Sequence, residues 1–80
     1  MLSQLLNSKK VVGIKQLRKA LGQGQISKVF LALDADPMLL DPIRELCCEK
    51  GVSIVDVPTM HELGKACGIS VGASAAGLLA

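Results

Sequence analysis

Val29-Phe30-Leu31-Ala32-Leu33-Asp34-Ala35-Asp36-Pro37 passes from one kind of backbone to another within a few residues. Val29 to Leu33 is continuously apolar, which suits a strand covered on both faces, because a strand with one wet face alternates apolar and polar residues. Asp34-Ala35-Asp36-Pro37 then reads as a turn and a helix start. Asp36 is placed to accept a hydrogen bond from a first-turn N–H, and Pro37 suits the first helical position, where an N–H would have no partner. A buried strand that feeds directly into a helix is the repeating unit of α/β folds.

Reading outward from this stretch extends the pattern. C-terminal to it, Met38, Leu39, Ile43, Leu46 and Cys47 supply the buried side of a helix that stops at Lys50-Gly51, a basic last turn followed by glycine. Val52 to Val57 reads as a second buried strand. Thr59-Met60-His61-Glu62 fits a capping box, so a third helix runs toward Cys67 and ends at Gly68, and Ala73 to Leu79 forms the last strand. N-terminal to the opening stretch, Ile14, Leu17, Ala20 and Leu21 recur at helical spacing, and Gly22-Gln23-Gly24 ends that helix. Lys10 to Val12 reads as a short strand and Met1 to Asn7 as a short helical turn. No linker or repeat divides residues 1–80. The expected architecture is α/β: a single domain folded as a three-layer α/β/α sandwich around a small mixed four-stranded sheet.

With 80 residues, such a chain buries only about 60 to 65% of its unfolded surface, so each apolar face must find a partner. Phe30 is the one aromatic residue, which excludes nucleic-acid modules that stack bases on several sheet aromatics. Cys47, Cys48 and Cys67 do not make a disulfide framework and read as reduced, buried thiols. Neither end carries an apolar run of signal-peptide or membrane-spanning kind, so a cytoplasmic protein is expected. The net charge of +2 conceals an asymmetry. Six basic and no acidic residues precede Val29, giving +6; three basic and seven acidic residues follow from there, giving −4. That separation points to a polyanion on one side of the molecule.

The basic group centres on Gly13 to Lys19. On a helical wheel Lys15 and Lys19 share one side with Gln16 beside them, Arg18 lies on the flank, and the apolar residues lie opposite. Lysines four apart repel by a few tenths of a kcal/mol, so they do nothing for the helix itself; against phosphates they gain charge-assisted contacts and release counterions. At the helix start, Gly13 leaves N–H groups and the positive end of the macrodipole open to close approach. The competing reading is a solvated face that keeps a hydrophobic chain in solution.

Three motifs then act together. Gly13-Ile14-Lys15-Gln16-Leu17-Arg18-Lys19, Asp34-Ala35-Asp36-Pro37 and Leu63-Gly64-Lys65-Ala66-Cys67-Gly68-Ile69-Ser70-Val71-Gly72-Ala73 resemble, in that order, the kink-turn-binding ribosomal protein family called L-seven-Ae, especially its short bacterial members. The resemblance implies a noncatalytic α/β/α sandwich that binds kink-turn RNA, a bent helix with tandem sheared G·A pairs, in ribosomal or regulatory RNA. It implies that Gly13, Lys15, Gln16 and Lys19 dock on the G·A pairs and neighbouring phosphates, with Arg18 beside them and Asp36 near the same surface. Ile69, Ser70 and Val71 would pack on nucleotides flipped out at the bend; alternatively this segment is an ordinary helix-to-strand turn. Where the family usually has Gly-x-Asn-Glu-x-x-Lys, Lys15 replaces the asparagine and Gln16 the glutamate. A neutral amide accepts from a guanine edge more weakly than a carboxylate, while the added lysine strengthens nonspecific attraction. About four or five phosphate contacts are expected.

Other constellations carry less. An apolar strand ending in Asp34-x-Asp36 is similar to a phosphatase nucleophile motif, but the chain has no room for the partners such a site needs. His61 and the cysteines lack zinc-ligand spacing, and Gly22-x-Gly24 is too short to cradle a dinucleotide. The remaining alternative is a protein-interaction or ribosome-assembly module. The sequence therefore predicts an RNA partner, no metal, no cofactor, no small-molecule substrate and no membrane, in a monomer that is free or ribosome-associated.

Overall fold

Strand pairing sets the frame of the molecule. In the computed structural model, which describes residues 9–80, the elements run β1 (Lys10–Val12), α1 (Ile14–Gly22), β2 (Ile26–Ala32), α2 (Pro37–Lys50), β3 (Ser53–Val57), α3 (Met60–Ala66) and β4 (Ala75–Leu79). The helical turn expected over Met1 to Asn7 lies outside the described residues. The four strands form one mixed sheet in the order β1-β4-β2-β3. β2 and β3 are parallel, joined by α2 as the crossover, and β4 runs antiparallel between β1 and β2.

Alternation along the strands assigns the two faces. Val11, Gly77, Val29 and Ile54 form one row across the sheet, and a Cβ on Gly77 would come within 2.6 Å of Leu17 of α1. That row therefore faces α1, and α2 packs beside it on α1 and β3. The next row, Val12, Ala76, Phe30 and Val55, turns the other way, where α3 covers β2, β3 and β4. Three layers result, as the sequence pattern predicts. Phe30, Leu17, Leu21, Leu31, Ile43 and Leu63 are fully buried at their centre. The small residues of β4 belong to this packing, since helix side chains fill the space that larger strand residues would need.

Local signals account for the helix ends. Asp36 Oδ1 accepts the Met38 N–H at 2.9 Å with Pro37 at the first position. Gly51 closes α2 in the left-handed conformation, and the Val52 N–H reaches the Cys47 carbonyl at 2.9 Å. Thr59 Oγ1 accepts the Glu62 N–H at 3.1 Å to start α3.

Four sequence expectations need correction. β2 begins at Ile26 rather than Val29 and ends at Ala32, so Leu33 sits in the following turn, 54% exposed. β3 is an edge strand and only half-buried, whereas a run of valines and isoleucines suggests full cover. On α2 the buried positions are Leu40, Ile43 and Cys47; Met38 is 81% exposed and Leu39 exposed too. Docking of α2 on the sheet buries Leu40, and at 100° per residue that turns Met38 about 160° away from it. Among the cysteines, Cys47 and Cys67 are buried but Cys48 is exposed.

Candidate nucleic-acid interface

Register brings one end of every strand to the same edge. Val12, the last residue of β1, pairs with Ala76 near the start of β4; Leu31 pairs with Ala75; Ala32 at the end of β2 pairs with Val57 at the end of β3. The segments that leave these ends are the start of α1, the turn 33–36, the start of α3 and the loop 69–74. Backbone bonds tie them down: Gly13 N–H to the Ala75 carbonyl at 2.9 Å, Ala32 N–H to Ser74 at 3.0 Å, and Leu33 N–H to Val57 at 2.8 Å. Residues distant in sequence thus share one end of the sheet.

Gly13 makes the corner from β1 into α1 at φ 105° and ψ 153°, a conformation that strains any residue with a Cβ. A Cβ there would touch nothing within 4 Å, so it is the backbone angle, and not crowding, that calls for glycine. No side chain caps the helix. The N–H groups of Ile14, Lys15 and Gln16 have no acceptor among the described residues, which leaves a positive helix end facing outward.

Leu17, Ala20 and Leu21 anchor α1 on the sheet, so Lys15, Gln16, Arg18 and Lys19 are all exposed. None of the three cations has an ion-pair partner among the described residues; the pair present, Arg44 Nη2 to Asp56 Oδ1 at 2.9 Å, joins α2 to β3. Gln16 and Lys19 line a shallow groove of about 230 Å³ with Val11, Ala20, Gln23 and Gln25. The wheel groups Lys15 with Lys19; the groove groups Lys19 with Gln16, placing a charge next to a side chain that both donates and accepts.

Asp36 is exposed at the same end, with one carboxylate oxygen committed to the α2 cap. The loop after α3 presents Ile69, Ser70 and Val71 to solvent, Val71 at 69%. It is held from behind. Ile69 N–H bonds the Gly64 carbonyl at 3.1 Å and Ala73 N–H the Met60 carbonyl at 3.0 Å. A Cβ on buried Gly64 would lie 2.1 Å from the Val71 carbonyl oxygen, so only glycine lets the loop sit this close to α3. At the C-terminal end of α3, burial pushes the Cys67 thiol up from its ordinary value against a smaller opposing pull from Lys10, which favours the neutral form.

The sequence matches the ribosomal protein L7Ae/L30e/S12e/Gadd45 family over residues 1–79. The chain belongs to that family. One relative, RNA-binding protein TTE2299 of Caldanaerobacter subterraneus subsp. tengcongensis, is 47% identical over 68 residues, covering 85% of this chain and 83% of its own. The large ribosomal subunit protein eL8 of Halobacterium salinarum is 39% identical over 69 residues, 85% of this chain and 58% of that longer one. Among solved structures, the 15.5kD RNA binding protein of Giardia lamblia superposes with a TM-score of 0.92 at 26% identity, covering 99% of this chain and 70% of its own.

As a member of this ribosomal protein family, the chain is not an enzyme. Asp34, the would-be nucleophile, instead accepts the Met60 N–H at 2.7 Å. That contact and the packing of Val71 on Gly64 escape sequence reading. A glycine inside a short helix pattern is the one local hint, and Asp34 offers none.

Proposed function

We propose that the protein is a single-domain, noncatalytic RNA-binding protein that recognises and stabilises kink-turns in ribosomal or regulatory RNA, using the strand-end surface. The observation that carries this reading is the convergence of three sequence-distant motifs on one end of the sheet. Gly13 and the free first-turn N–H groups admit a phosphate closely. Lys15, Arg18 and Lys19 supply attraction, and Gln16, beside Lys19 in its groove, reads a base edge in the groove that the G·A pairs widen. Asp36 borders the site, and Ile69, Ser70 and Val71 cover the faces of bases extruded at the bend. A preformed surface of this kind acts by population shift: it binds the bent RNA better than the extended one and stabilises the bend by that difference. The protein works as a monomer in the cytoplasm, free or on the ribosome; no helix among the described residues is long and apolar enough to cross a membrane.

Titration of a kink-turn RNA against a control lacking the G·A pairs tests the reading, and equal affinity for the two overturns kink-turn recognition. A second reading, a protein-interaction or assembly module, is favoured by one observation: Leu33, Met38, Leu39, Ile69 and Val71 are all exposed and flank the same strand ends. A pull-down that survives nuclease and is lost on mutating Ile69 and Val71 would support it.

A further inference from the structure

Met60, the first residue of α3, is a junction. Its N–H donates to Asp34 Oδ1 at 2.7 Å, its carbonyl accepts the Ala73 N–H at 3.0 Å, and its sulfur accepts the Ser74 hydroxyl at 3.6 Å. Gly72 lies against it so closely that a Cβ there would be 3.2 Å from the Met60 Cβ. One residue thus links the turn 33–36 to the loop 69–74. The capping of α3 does not by itself require Asp34, because Thr59 already serves the Glu62 N–H from within the local sequence. Asp34 reaches Met60 from 26 positions away and takes a different N–H.

We propose that Asp34 is a positioning residue for RNA recognition: through Met60 it sets the spacing between Asp36 and the Ile69 to Val71 loop. The inference rests on the reading of that surface given above and assigns a role to a carboxylate that touches no RNA. Asp36 is two residues beyond Asp34, and Val71 is two residues before Ala73. Without the Asp34 bond, α3 is free to shift against the turn and carries the loop with it. An extruded base that packs on the loop would lie beside Asp36, so the spacing of the two governs preference for the bent RNA. The phosphate contacts on α1 do not depend on it.

The test uses the full chain and two substitutions that separate geometry from charge. Asp34→Asn keeps an acceptor oxygen in place and removes the charge; Asp34→Glu keeps the charge and moves the oxygens by one methylene. Each is titrated with a kink-turn RNA carrying 2-aminopurine at the flipped-out position and with a plain duplex, at several salt concentrations. Amide hydrogen exchange at Met60, Ile69 and Ala73 is followed in parallel. Positioning predicts that Asp34→Glu loses about tenfold in affinity for the kink-turn, with altered 2-aminopurine fluorescence and faster exchange at Ala73. Its duplex affinity and salt slope stay as in the wild type, and Asp34→Asn stays within about threefold of wild type throughout. Equal losses on both RNAs, or an Asp34→Asn variant as impaired as Asp34→Glu, overturn it. If the wild type itself shows no kink-turn preference, the proposed function fails and the positioning role of Asp34 is judged by exchange alone: unchanged rates at Ile69 and Ala73 in Asp34→Glu refute it too.

Discussion

Lys19→Ala and Gln16→Ala should separate attraction from reading, although the two side chains line one groove. Lys19 is exposed and unpaired among the described residues, so its removal deletes a cation without leaving an anion stranded. If Lys15, Arg18 and Lys19 each meet one phosphate, α1 contributes a log–log salt slope of about −2.7 at −0.9 per contact. Raising salt roughly fourfold, from about 50 to 200 mM, then weakens binding by about 40-fold through α1 alone. Lys19→Ala removes about 0.9 from the slope, so its deficit relative to wild type shrinks by about 3.5-fold across that range, alike on kink-turn and duplex RNA. Gln16→Ala is neutral and leaves the slope unchanged. It should instead cost about 5- to 150-fold in preference for the kink-turn over duplex, the value of one base-edge contact of about 1–3 kcal/mol. Fluorescence anisotropy at four salt concentrations with both RNAs supplies every quantity. A salt slope altered by Gln16→Ala, or a kink-turn preference altered by Lys19→Ala as much as by Gln16→Ala, would refute this division of roles.

The remaining expectations concern stability and thiol chemistry. Gly13→Ala forces a Cβ onto φ 105° and should cost about 1–3 kcal/mol, seen as a lower urea midpoint. Phe30→Ala empties the centre of the α3 face, where Phe30 is 0% exposed, and should cost about 3–5 kcal/mol; thermal denaturation measures it. Of the three thiols, Cys48 should react with a disulfide reagent in the native state while buried Cys47 and Cys67 wait for unfolding; mass spectrometry counts the adducts. Burial pushes the Cys47 thiol up from its ordinary value of 9.0, with Arg44 pulling the other way. The folded state therefore favours the protonated thiol, and its contribution is whole below 9.0 and is lost as pH rises through the raised value. Urea midpoints through the alkaline range should fall more steeply for wild type than for Cys47→Ala.

Legibility in the sequence followed the range of the interactions. Asp36-Pro37, Lys50-Gly51 and Thr59 to Glu62 act within a few residues of themselves, and all three helix ends fall where these signals place them. The buried run Val29 to Ala32 is similarly local. The phase of α2 is not: Met38 and Leu39 look as suitable for the core as Leu40, and only docking on the sheet decides among them. β3 looks like a central strand because the edge position belongs to the topology and not to the run itself. The candidate surface shows the same division. Its basic helix and loop could be read as segments, but the Asp34–Met60 bond and the seat of Val71 on Gly64 exist only once α3 has packed.

The surface is assembled from loops, yet nearly every segment in it is tied to a strand end or to a helix backbone. Gly13 bonds to β4, Ala32 and Leu33 carry the turn 33–36 from β2, and the loop 69–74 hangs on Met60 and Gly64. This matters under the proposed function, in which the module holds RNA in a bent state. Bending the RNA costs free energy that the contacts must offset, and a surface that also had to order itself would spend part of those contacts on its own entropy. The small strand β4 serves that end, because Gly77 lets α1 pack closely on the sheet while Gly13 bonds directly to Ala75. Replacing strand bulk by close packing therefore does more than fill a small core. It fixes the cationic helix start relative to the apolar loop, and under the proposed function the spacing of those two is what would let a bent RNA, but not a straight one, engage both.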